Sequence, residues 1–132
     1  MNKVPHILVV DDHELRRECA KRALPDGRFK VTAVPSASRG LRYLRRLQFD
    51  AIVVGTHLRG MGAKELQDRV CRLYPETPVV EVSFTWPGGR NMTAMSPGAY
   101  HCLILCSQDK ETALRIKVEE ALARSAEKAK VA

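Results

Sequence analysis

Two short apolar runs confine this chain to a narrow set of folds. Ile7-Leu8-Val9-Val10 closes in the carboxylate pair Asp11-Asp12, and Ala51-Ile52-Val53-Val54 closes in Gly55. Continuous runs of this length, rich in β-branched residues, suit strands buried on both faces of a parallel sheet. In open α/β sheets the ligand crevice lies outside the carboxyl ends of such strands. Asp11, Asp12 and Gly55 are therefore expected to converge on one pocket.

The rest of the chain alternates helix and strand. From Glu14 to Leu24, the residues Leu15, Cys19 and Ala23 mark one helical stripe, with Arg16, Arg17, Lys21 and Arg22 mostly off it. Pro25-Asp-Gly27 stops that helix. Phe29 to Val34 alternates like a strand, and Pro35-Ser36 supplies a turn and an N-cap. In the helix that follows, Ala37, Leu41 and Leu44 share one face, while Arg39, Arg42, Arg45 and Arg46 occupy much of the rest. A third helix is predicted from Ala63 to Leu73, with Leu66, Val70 and Leu73 inward and Tyr74-Pro75 as its stop. Val79 to Ser83 reads as a strand. The stretch from Phe84 to Asn91 contains Pro87 and two adjacent glycines and cannot hold a regular helix through its middle, so only a short helix near Asn91 to Met95 fits. Cys102 to Leu105 reads as a fifth strand. The last helix is predicted from Asp109 or Lys110 to about Glu127, with Ala113, Ile116, Glu120 or Ala121, and Leu122 to Ala123 along one side, and with a frayed tail. Five such units give a doubly wound, five-stranded parallel sheet with right-handed crossovers and helices on both faces.

At 132 residues and 45% hydrophobic content the chain is expected to form one domain without an attached output domain. Its start carries no long apolar segment, and no apolar run approaches the roughly 20 residues of a membrane span. A soluble, cytoplasmic protein is expected. Cys19, Cys71, Cys102 and Cys106 form no CxxC pair, so they are read as small buried or half-buried hydrophobes and not as a zinc site or disulfide framework. The net charge of +7 favours anionic partners, whether nucleic acid, lipid headgroups or an acidic protein face.

The order and spacing of these features, from about Pro5 to Ala123, resemble the receiver domain of two-component response regulators, whose flavodoxin/CheY-like sheet has the strand order 2-1-3-4-5. The stretch from Asp50 to Leu66 is similar to the family's third strand and following loop, with Gly55 in the phospho-acceptor position and Arg59 where a proline is usual. Thr77 to Ser83 resembles the fourth strand, ending in the family's hydroxyl residue, and Pro97 to Tyr100 resembles the entry to the fifth. The resemblance implies one receiver-like domain over residues 1–132, with its core at about 5–123 and 124–132 as the frayed tail. It further implies that Asp11 and Asp12, together with an acceptor aspartate, would hold a divalent cation. Four departures stand against a phosphorylation cycle. Gly55 replaces the acceptor and Leu105 the lysine; Phe84 follows Ser83 where a small residue is normal; Cys102 stands where the family has its rotating aromatic switch.

The leading expectation is thus a stand-alone, noncatalytic pseudo-receiver of two-component-type signalling, acting through phosphorylation-independent contacts with another signalling protein. No cofactor is expected beyond Mg²⁺ held weakly, if at all, by Asp11 and Asp12. The region from Met92 to Leu122 is where the resemblance implies dimerisation or output contacts. The alternative is a nucleic-acid or anionic-surface binding module using Arg39, Arg42, Arg45 and Arg46. A phosphotransfer role with His57 as substitute acceptor is a third. Plainer readings stand beside these. Asp11 and Asp12 suit any helix N-terminus; His57 suits a solvated loop; Ser83 suits a hydrogen-bonded strand end; the arginines suit a solvated helix face. Trp86 is either tucked over the core or a partner anchor. Arg59 could fold back over the acidic pair in place of metal and lysine.

Overall fold

The computed structural model describes residues 3–55, 58, 60–85, 100–105 and 110–131, with the side chains of 83–85, 100–105, 110 and 128–131 outside the description. The elements are β1 (His6–Val10), α1 (Glu14–Ala23), β2 (Lys30–Val34), α2 (Ala37–Arg46), β3 (Ala51–Gly55), α3 (Ala63–Leu73), β4 (Val79–Thr85), β5 (Tyr100–Leu105) and α4 (Lys110–Val131). All strand pairs are parallel, in the order β2-β1-β3-β4-β5. This is the expected doubly wound sheet.

The continuous apolar runs are explained by two cores. Ile7, Val9, Val53, Val80 and Val82 pack on one face of the sheet against Ala20 and Ala23 of α1 and Leu114 and Val118 of α4. Leu8, Val10, Ile52 and Val54 pack on the other against Leu41 and Leu44 of α2 and Leu66 and Val70 of α3. Each fully buried Val, Ile or Leu contributes about 1.5–3 kcal/mol, so β1 and β3 anchor the domain from both sides. α2 starts where expected: the Ser36 hydroxyl accepts the Arg39 N–H at 3.3 Å. Gly40 lets this helix close on β1, because a Cβ there would stand 3.0 Å from Val10 Cγ2.

Several expected faces and limits are corrected. In α1, Leu15 is 72% exposed, and the buried positions are Cys19, Ala20 and Ala23. The helix is therefore rotated so that Arg16 holds the inward first-turn position of an i, i+3, i+4, i+7 frame. In α3 the inward frame is Ala63, Leu66, Gln67 and Val70; Leu73 is exposed, and Tyr74 just beyond packs against the core instead. α4 buries Leu114, Val118 and Ala121, and Ile116 faces solvent. It runs to Val131, past the expected end near Glu127, so the tail expected to fray is helical to that point. β4 continues two residues beyond Ser83, because Phe84 and Thr85 pair with Ile104 and Leu105 of β5. Phe84 thus belongs to a strand and not to the following loop. Cys19 is buried as expected, whereas Cys71 is exposed. The expected short helix at Asn91 to Met95 lies outside the described residues.

Among the described residues three polar ones are buried: Asp11, Gln67 and Glu81. Strand alternation puts Glu81 on the same side as Val79, the side covered by α3. The Gln67 amide and Glu81 Oε2 have no hydrogen-bond partner among the described residues. No helix among those residues is long and apolar enough to cross a membrane.

Candidate functional site at the carboxyl ends of β1 and β3

β1 and β3 are paired in register from Ile7 with Ala51 to Val10 with Val54. The next residues, Asp11 and Gly55, therefore come side by side at the sheet's carboxyl edge. Together with Arg16, Cys19, Val82 and Leu114 they line a small cleft between the sheet and α1. The backbone of Asp11 is fixed first: its N–H donates to the Val34 carbonyl at 3.1 Å, continuing the β1–β2 ladder by one rung.

Asp11 is 5% exposed, and its side chain lies directly over Gly55. A Cβ built on Gly55 would stand 2.5 Å from Asp11 Oδ2 and 2.9 Å from its Cγ. The Asp11 carboxylate thus fills the space that any side chain at position 55 would enter. Two groups hold it there. Oδ1 accepts the His13 backbone N–H at 3.0 Å, and the Arg16 guanidinium approaches the same oxygen at 3.6 Å. A second guanidinium fixes the turn, since Arg17 Nη1 donates to the Asp11 carbonyl at 2.7 Å.

Burial raises the Asp11 pKa above the ordinary carboxylate value. The His13 N–H and Arg16 oppose that rise, and the neighbouring Asp12 adds to it. The mutual repulsion expected of adjacent acids is present, but loss of water is the larger cause. Asp12 is only half-buried.

Arg16 is the residue that sequence reading missed. Arg59, for which a fold back over the acidic pair was one reading, lies outside the described residues, as do His57 and Trp86. The signal for Arg16 was available in the frame Arg16, Cys19, Ala20, Ala23. This places a cation on the inward face of the first helical turn, next to a strand that ends in acids. Ser83 and Phe84 lie in β4 one and two residues past Val82, the partner of Gly55, and Leu105 ends β5 opposite Thr85. The side chains of these three lie outside the description. Arg39, Arg42, Arg45 and Arg46 are all exposed on α2. The Met92 to Leu122 surface is only partly described.

Asp11 and Asp12 are the carboxylates at this strand end, and no group of three or more His, Cys, Asp or Glu suited to a metal ion occurs among the described residues.

Comparisons with known proteins agree with this fold. The response regulator receiver domain family matches residues 7–122. Response regulator GacA of Pseudomonas viridiflava is 33% identical over 79 residues, covering 58% of this chain and 37% of that protein. The chain thus spans little more than a third of the length of that relative. Among solved structures, a receiver domain protein from Methanospirillum hungatei JF-1 aligns with a TM-score of 0.75 at 20% identity, over 96% of this chain and 99% of that one. NtrX from Brucella abortus, in complex with ADP, aligns with a TM-score of 0.82 at 26% identity, over 98% of this chain and 29% of that one. The chain belongs to the response regulator receiver domain family.

Proposed function

We propose that this receiver is a noncatalytic signalling module of a two-component-type pathway that works through protein–protein contacts without aspartyl phosphorylation. The observation that carries the reading is the Asp11 carboxylate seated over Gly55. Phosphoryl transfer to a carboxylate needs a positioned nucleophile and a cation to offset charge on the phosphoryl oxygens. Gly55 supplies no nucleophile. The donor set also fits a resident magnesium ion poorly, since that ion requires near-octahedral oxygen coordination, whereas one Asp11 oxygen is already shared between the His13 N–H and Arg16. Leu105 in the lysine position removes the positive group beside the product. A protein partner then reads a surface whose shape does not depend on the pocket's chemical state.

Incubation of the chain with acetyl phosphate and magnesium, followed by intact-mass measurement, tests this. The expected result is the unmodified mass alone. A phosphorylated species mapped to Asp11, Asp12 or His57 would overturn the reading.

A further inference from the structure

The surplus charge is concentrated in one segment. From Gly27 to Phe49 the chain carries Arg28, Lys30, Arg39, Arg42, Arg45 and Arg46 and not one Asp or Glu, which leaves a single surplus cation of the +7 for the rest of the molecule. Four arginines outside α2 have carboxylate partners: Arg16 with Asp11, Arg22 with Glu111, Arg28 with Glu119 and Arg69 with Glu65. The four arginines of α2 are exposed, and none has a carboxylate within ion-pair distance among the described residues.

Their placement on the helix is ordered. At about 100° per residue, Arg39, Arg42, Arg45 and Arg46 fan over about 120° of the circumference. Tyr43, 40% exposed, stands at one margin of that arc. The opposite arc holds Ala37, Gly40, Leu41 and Leu44, which seat the helix over β1 and the edge strand β2. Like charges three and four residues apart each cost a helix a few tenths of a kcal/mol. All four cations are arginine, whose planar fork binds phosphate through two parallel hydrogen bonds where lysine offers a point charge.

We propose that the exposed face of α2 binds the phosphate backbone of duplex DNA without reading sequence. The apolar stripe of α2 is consumed by the core, so the helix has no face to insert into a bilayer. A single helix about 10–12 Å across fits the major groove of B-form DNA, about 12 Å wide. There the phosphates of both strands flank it, matching a broad arc of guanidiniums. The deep, narrow major groove of duplex RNA does not admit it. This surface shares no residue with the Asp11 pocket, so its failure and that of the signalling reading are separable.

The test is fluorescence anisotropy of a short labelled DNA duplex titrated with the intact chain over a series of salt concentrations. Four phosphate contacts give a slope of log K against log salt of about −3.6. Each single Arg→Gln change on α2 is expected to reduce that slope by about 0.9. The fourfold variant Arg39→Gln, Arg42→Gln, Arg45→Gln, Arg46→Gln is expected to lose binding while keeping its helical circular dichroism, because glutamine is a good helix former. A charge-matched control, Lys3→Gln, Lys64→Gln, Arg72→Gln, Arg124→Gln, is expected to keep most of it. Absence of binding at low salt, equal loss in the control, or tighter binding to phosphatidylserine vesicles would each overturn the proposal. So would displacement of the duplex by poly-glutamate at equal charge, which would assign the surface to an acidic protein.

Discussion

Gly55→Asp is expected to lose about 2–4 kcal/mol of folding stability at neutral pH and still take up no phosphoryl group from acetyl phosphate. A Cβ at position 55 meets the Asp11 carboxylate at 2.5 Å, so one of the two must move. Asp11 cannot rotate away without releasing the His13 N–H and the Arg16 guanidinium. If it stays, the new carboxylate is forced against a buried acid, and like charges at that range raise each other's pKa. Overpacking and repulsion therefore act together. Denaturant titration measures the loss and intact mass the labelling. Gly55→Ala is expected to show the packing part alone, and Gly55→Ala with Asp11→Ala to recover most of it. Undiminished stability with efficient labelling of Gly55→Asp would mean that the pocket is open.

Arg16→Ala is expected to cost about 1–2 kcal/mol at neutral pH and almost nothing in acid. Breaking a fully buried pair costs about 3–5 kcal/mol; Arg16 is 28% exposed at its side chain, so water screens part of the loss. The pH window follows from Asp11. Its pKa is raised on folding, so the folded chain holds that proton more tightly than the unfolded one. The group's contribution to stability is greatest below the unfolded carboxylate value, near 3.9, and is lost as pH rises through the higher folded value. Above that point Asp11 is a buried anion, and Arg16 offsets it more than the other side-chain charge beside it, His13. Removing Arg16 raises the folded pKa further and deepens the loss only where Asp11 is ionised. Asp11→Asn is expected to do the reverse, gaining stability at neutral pH with the gain fading in acid, and Arg16→Ala is expected to be nearly silent in that background. A loss of equal size at acid and neutral pH would mark Arg16 as a packing residue only.

The parts of the fold that were legible in the sequence are those set by local physics. β1 and β3 showed themselves because a strand buried on both faces needs a continuous apolar run, and α3 because Leu66 and Val70 share one helix face ahead of the Tyr74-Pro75 stop. The Ser36 cap was readable for the same reason. What was not legible is the rotation of each helix about its axis. In α1 and α4, stripes through Leu15 or Ile116 are nearly as apolar as the true ones, and only contact with the sheet decides between them. That rotation brings Arg16 to the acidic strand end. The sequence placed Asp11 and Gly55 in one pocket, but that one occupies the other's missing side-chain space depends on a register of two strands 44 residues apart, a span bridged at their other end by His6 and Asp50.

The most direct measurement of the central claim, that Asp11 and Arg16 close the site from within, is the amide NMR spectrum of the intact chain titrated with magnesium and acetyl phosphate together. With the carboxylate held over Gly55, the amides of Asp11, Asp12, His13 and Gly55 are expected to stay in place throughout. Saturable shifts confined to those four amides would show a pocket that still admits its cation and phosphoryl group, and would contradict the claim.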